Sequence, residues 1–235
     1  MPLIRAIALT LLALPCWAGL YVDGTAWDRN DLNVCFESPP ARSRAQFNAS
    51  QLNIIPWTAQ RRAQLRSWLE EEYRPARTGV HFVGFGDCNS VEVPDVVAFL
   101  GARDRGLGAL FNPGPLGRAS LGPDYARVPF HADARAYAWI NGSKFTKSVV
   151  VHEFGHVARL AHEHFRPESR DDERCLPQHL QRGYTRVREI AYGDYDSASV
   201  MNYCNLILNS GQSRSQTGLS PGDVTLLRHL YPDQE

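Results

Sequence analysis

Residues 151–166 read VHEFGHVARLAHEHFR and hold four histidines and two glutamates in sixteen positions. His152 and His156 are four apart. On a helix they lie one above the other on one face and can aim two imidazole nitrogens at a single ion. Glu153 follows the first histidine and projects beside such an ion, where a carboxylate suits a general base acting on metal-activated water. A catalytic zinc takes three protein ligands and leaves its fourth position open. His162 comes six residues after His156 and misses the ligand face of a continuing helix. It reaches the ion only if the chain breaks and turns back after the second histidine.

The extended pattern HExxHxxGxxH supplies that break with glycine, which takes positive φ at no steric cost. Here His152, Glu153, His156 and His162 fit the pattern, and HEHFRPESRDD continues it at 162–172. About forty residues on comes YDSASVMNY, 195–203, and the chain closes with LSPGDVTLLRHLY, 219–231. In these pieces the sequence resembles the metzincin metallopeptidases, and within them most closely the astacin-like group. The pieces span about two fifths of the chain, at its C-terminal end, in the family's order. The N-terminal half agrees only in the order of its strands and helix.

The resemblance implies an α+β, zincin-like fold. A mixed β-sheet with two long helices would form an N-terminal subdomain, 19–162, and a mostly irregular C-terminal subdomain, 163–235, would end in a helix. It also implies roles. His152, His156 and His162 would hold one zinc per chain, and Glu153 would move a proton from water to the leaving amine. Tyr203 would stabilise the tetrahedral intermediate. Met201 would form a floor beneath the metal without ligating, and Glu163 would meet the mature N-terminus. The implied activity is that of a zinc metalloendopeptidase on protein or peptide substrates. Two other readings share the scaffold: a zinc- or peptide-binding module without turnover, and a metal-dependent hydrolase of cell-wall cross-links.

This chain departs from the family at Arg159, which stands where the glycine belongs. A bulky residue at positive φ costs about 1 kcal/mol or more, so either the turn is strained or it is built differently. About forty residues separate Ala18 from the first predicted long helix, so the inhibitory propeptide that many members of that family carry is not expected here. FVGFGDC, 82–88, reads as a strand end.

Outward from the histidines, KSVVVHEFGHVARLA predicts a helix starting near Ser143 or Thr146. TAQRRAQLRSWLEEEYR, 58–74, repeats Leu65, Trp68, Leu69 and Tyr73 at helical spacing, with Thr58 as N-cap and Pro75 as stop. DLNVCFES, VHFVGFGDC, VVAFLGA, ARVPFHA and AYAWIN read as strands bounded by turn formers. Gly and Pro crowd 101–124, which reads as a loop overhanging a cleft or as a surface insertion. A short helix is expected within 176–191 and a last one near the end, with Ser220 as cap and Pro221 at its first position. His164, two past the third ligand, is expected to point to solvent. His81, His131, His179 and His229 lack partners at ligand spacing.

Lysine plus arginine and aspartate plus glutamate each number 25. That balance gives no footprint for nucleic acid or an anionic membrane. Residues 1–18 read as a signal peptide: Arg5, an apolar run, and a small-residue cleavage site after Ala18. Pro15 makes Cys16 a poor lipid-anchor site. No later segment reaches the ~20 apolar residues of a membrane span. The mature chain, 19–235, is therefore expected to be one catalytic domain, monomeric, and secreted or periplasmic. Four cysteines remain in it and read as two disulfides. They allow three pairings, of which Cys35 with Cys88 and Cys175 with Cys204 is the expected one.

Overall fold

In the computed structural model of the chain, the described residues are 19–24, 27–37, 54–101, 117–123, 133–172, 189–203 and 218–232. The expected leader, the strand at ARVPFHA, His131, His179, Cys175 and Cys204 lie outside them.

VVAFLG forms strand β5, Val96–Gly101, and all six of its residues are buried. Val96, Ala98 and Leu100 face one apolar cluster while Val97 and Phe99 face another. A strand alternates its side chains, so a run apolar on both faces belongs at the centre of a covered sheet. β5 is central: the strand order is β4-β2-β5-β7-β6, with β3 also paired to β5. Here β2 is Asp31–Phe36, β3 Ile54–Ile55, β4 His81–Asp87, β6 Gly117–Ala119 and β7 Ala136–Asn141. β2 runs parallel to β4 and β5, and β5 parallel to β7, whereas β3 and β6 are antiparallel. A separate two-stranded antiparallel sheet joins β1, Leu20–Val22, to β8, Glu189–Ala191.

Helix α1, Ala59–Glu72, starts at Thr58, whose hydroxyl accepts from the Arg61 N–H. Its Leu65 and Leu69, with Tyr73 beyond its end, join Phe82, Leu100 and Ile140 in the larger cluster. α2, Pro75–Thr78, is a single turn closed by Gly79 at φ 74°. α3, Lys147–Val157, packs on the same sheet face through Val150, Phe154 and Val157. The Tyr73 hydroxyl donates to the Val151 carbonyl at 2.6 Å, tying the end of α1 to α3. α4, Pro221–Leu230, carries a capping box between Ser220 and Asp223, with Pro221 in its first turn.

The opposite sheet face holds the Cys35–Cys88 disulfide, packed with Ile54, Phe99 and Trp139. Among the described residues no helix is long and apolar enough to cross a membrane.

Three sequence expectations change. α3 ends at Val157, since the chain leaves the helix before Arg159. Residues 189–191, read as helix, form β8 because β1 pairs with them. Gly117–Ala119, read as loop, adds to β7 as an edge strand.

Candidate metal centre and cleft

The turn after α3 decides where His162 goes. The Arg159 N–H donates to the His156 carbonyl at 2.8 Å, and the Leu160 N–H to the Gly155 carbonyl at 2.8 Å. This pair of bonds is a Schellman motif, whose residue past the cap adopts the left-handed conformation. That residue is Arg159, at φ 74°. The arginine takes the glycine's backbone geometry rather than forcing another turn. Its guanidinium donates twice to the Val22 carbonyl, from Nε at 3.2 Å and from Nη2 at 2.8 Å. Bonds from a charged donor contribute about 1.5–3 kcal/mol, enough to offset the ~1–2 kcal/mol of the left-handed backbone.

With the turn so built, His162 swings back over α3. Its Nε2 lies 2.9 Å from Nε2 of His156 and 3.3 Å from Nε2 of His152. One nitrogen from each of the three rings falls within 4.8 Å of the others. A tetrahedral ion with bonds of about 2.0–2.1 Å spaces its ligand nitrogens by about 3.3 Å, so the cluster has the right size for zinc.

Tautomers give a second test of fit. His152 Nδ1 lies 2.8 Å from the Val200 carbonyl, and His156 Nδ1 lies 2.8 Å from the Leu160 carbonyl. A carbonyl only accepts, so each Nδ1 carries the proton and each Nε2 presents a lone pair. Those lone pairs and His162 converge on one point, which a cation satisfies. Burial keeps the rings neutral. It pushes His156 down to about 4 and holds His152 well below the usual imidazole range, with repulsion from neighbouring histidines adding for His152. His162 is lowered in the same way, by burial and then by the other histidines.

Glu153 lies on α3 between His152 and His156 and is buried; burial alone raises its carboxyl to about 8. It stands against the edge strand: a β-carbon on Gly117 would come within 2.3 Å of Glu153 Oε1. The two border a cavity of about 530 Å³, lined also by His156, His162, Phe165, Tyr137 and Tyr203. The Tyr203 ring lies 4.4 Å from that of His162 and 5.2 Å from that of His152. Burial, then the nearby Glu153 charge, raises its phenol to about 12. Met201 sits under α3, where a β-carbon on Gly155 would meet its Sδ at 2.7 Å.

His164 does not point to solvent. It is buried, stacks on Tyr203 at 4.8 Å, and its Nδ1 accepts from the Tyr203 N–H at 3.3 Å. The 3-10 turn Glu163–Phe165 folds it inward beneath the turn that carries Met201. His81 lies near Asp31, and His229 stacks on Tyr192.

Glu163 is also buried, which raises its carboxyl to about 8. Oε1 accepts from the Asp196 N–H at 2.8 Å and lies 3.6 Å from Arg166. Oε2 has no hydrogen-bond partner among the described residues. Gly19 lies beside it: a β-carbon there would be 3.6 Å from Oε2.

Sequence reasoning passed over Gly117 and Asp223. Asp223 belongs to the capping box of α4, yet it also accepts from the Ser199 hydroxyl at 2.6 Å and the Val200 N–H at 3.0 Å. It thereby fixes the carbonyl that orients His152. The capping pattern at Ser220 was visible in the sequence; its second employment needed the fold.

No protein-family profile matches the chain, and no curated protein matches it. Two solved structures of myroilysin are similar to it. One is 14% identical with a TM-score of 0.49, covering 89% of this chain and 83% of that one. The other is 14% identical with a TM-score of 0.44, covering 89% of this chain and 87% of that one.

Proposed function

We propose that the chain is a zinc-dependent endopeptidase of the metzincin, astacin-like type, acting on proteins or peptides in the cleft beside Glu153. The observation that carries this reading is the convergence of three imidazole nitrogens within 4.8 Å, two of them held as lone pairs by backbone carbonyls. His152, His156 and His162 would hold the ion. Zinc bound there would supply Lewis acidity, lowering the pKa of water and polarising a carbonyl.

The remaining work falls to the chain's own groups. Glu153 accepts the proton of the attacking water and delivers it to the leaving amine. Its buried position suits a carboxyl that must hold a proton mid-cycle. The Tyr203 hydroxyl donates to the developing oxyanion. Met201 and His164 floor and brace these groups. Glu163, whose second oxygen has no partner among the described residues and lies next to Gly19, receives the ammonium that cleavage after Ala18 would create. Export through the 1–18 leader accords with the Cys35–Cys88 disulfide, a bond of oxidising compartments. Arg159 is the departure that would favour a binding module without turnover, and its φ of 74° keeps the glycine geometry of the turn, which removes that ground.

The test is a purified chain assayed for metal content and for hydrolysis of a broad peptide library. We expect one zinc per chain, cleavage lost on chelation and restored by zinc, and cleavage lost in Glu153→Gln with zinc retained. One zinc per chain with no cleavage of proteins or peptides would refute the peptidase. Cleavage confined to cell-wall fragments would move the activity to those cross-links.

A further inference from the structure

Arg159 does more than tolerate its conformation. Its backbone carbonyl accepts from the Val22 N–H at 3.2 Å while its guanidinium donates twice to the Val22 carbonyl. The residue thus grips both polar groups of one β1 residue. Its guanidinium also lies over the Tyr21 ring, 5.5 Å from the centroid. Two residues on, the Ala161 N–H donates to the Leu20 carbonyl at 2.7 Å, and Tyr21 bridges to Leu160 between them. The next residue is His162. Every residue from the left-handed turn to the third ring is therefore laid against β1, which is itself held by β8. A glycine at 159 would permit the turn and keep its backbone bonds to β1, but would lose the two bonds of the guanidinium.

Resting on the metal-site reading above, we infer that Arg159 is a positioning residue: it clamps the 159–161 turn to β1 and so sets His162 at the distance zinc requires. The docked N-terminal strand and His162 form one unit, joined by a side chain whose guanidinium is spent on the Val22 carbonyl and the Tyr21 ring.

Zinc affinity separates this role from a general contribution to stability. It is measured by competition with a chromophoric chelator on the full chain, for wild type, Arg159→Ala and Arg159→Gly, each with and without His162→Ala. Groups that orient a ligand typically change metal affinity by about 10–100-fold, so Arg159→Ala weakens zinc binding by that factor while His162 is present. In the His162→Ala background the same change alters affinity by no more than about twofold, the scatter of independent sites. Arg159→Gly falls between, because glycine keeps the turn and loses only the clamp. Val22→Pro, which removes the N–H given to Arg159 and leaves the arginine, shifts affinity in the same direction. Should Arg159→Ala fail to fold, Arg159→Lys, which keeps the charge and loses the paired donors, enters the same cycle with the same expected direction.

Equal losses with and without His162, or an unchanged affinity in Arg159→Ala, overturn the positioning role while leaving the metal site intact. A wild-type chain that binds no zinc overturns both.

Discussion

Replacing Gly117 with alanine asks whether Glu153 must stand where the edge strand leaves it room. The added β-carbon would lie 2.3 Å from Oε1, 2.5 Å from Cδ and 2.6 Å from Cγ of Glu153. Ordinary contact begins at 3.4 Å, so the carboxylate must recede by 3.4 − 2.3 = 1.1 Å, or β6 must move outward by as much. Glu153 is buried on a packed helix, which confines where it can go. A misplacement of about 1 Å in a reacting group costs on the order of 100-fold in rate, equivalent to about 2.7 kcal/mol of activation free energy. The assay is kcat on a cleavable peptide, with zinc content and thermal midpoint taken on the same sample. We expect kcat to fall by about two orders of magnitude with zinc retained, since the three atoms nearest the added β-carbon all belong to Glu153. An unchanged kcat in a folded, zinc-loaded Gly117→Ala protein would refute the placement of Glu153 as the base.

Three further outcomes follow from the same contacts. Asp223→Ala removes the acceptor of the Ser199 hydroxyl and of the Val200 and Ser220 N–H groups; at about 1–3 kcal/mol each, urea unfolding should register a loss of at least ~3 kcal/mol, and zinc affinity should fall because the segment whose Val200 carbonyl meets His152 loses its anchor. Replacing both Cys35 and Cys88 with alanine removes a crosslink spanning 53 residues, which chain entropy puts at about 4 kcal/mol; stability should drop by that order while zinc affinity holds, the bridge lying on the far face of the sheet. In metal-free protein, burial raises the folded Glu153 carboxyl to about 8 from the 4.5 of an exposed glutamate. The native state therefore binds the extra proton, and its stabilisation, full below 4.5, fades as pH rises through 8. Urea midpoints in chelator should fall over that window for wild type, and Glu153→Gln, which has no proton to lose there, should show a flatter alkaline limb.

Much of the site was legible because its chemistry is written at short range. The spacing of His152 and His156 holds on any helix, and Thr146 and Ser220 announce helix starts by a local hydrogen bond. The central strands were legible because β5 and β7 are apolar and bounded by turn formers. What escaped depends on distant partners. β1 and β8 are three-residue strands with no alternation to read, and each exists because the other lies beside it. β6 hid in a Gly- and Pro-rich stretch since its only qualification is an open rung on β7. His164 looked solvent-facing by its offset from His162, but a 3-10 turn reverses that offset. Arg159 posed a choice that residue type alone leaves open; the decisive atom is the Val22 carbonyl, 137 positions away.

The carbonyls of Val200 and Leu160, which set the protons on His152 and His156, belong to the main chain. No side-chain replacement can delete either one. In sites whose ligands lean on a carboxylate, a point mutation can retune the metal directly by removing or neutralising that partner. In the proposed site that direct route is closed at His152 and His156, and a side chain reaches those rings only through the segment it holds, as Asp223 holds 199–201 and Arg159 the turn beside β1. The tightness of an ion held there would then be tuned through the geometry of those two segments, by groups bonded to the main chain rather than to the imidazoles.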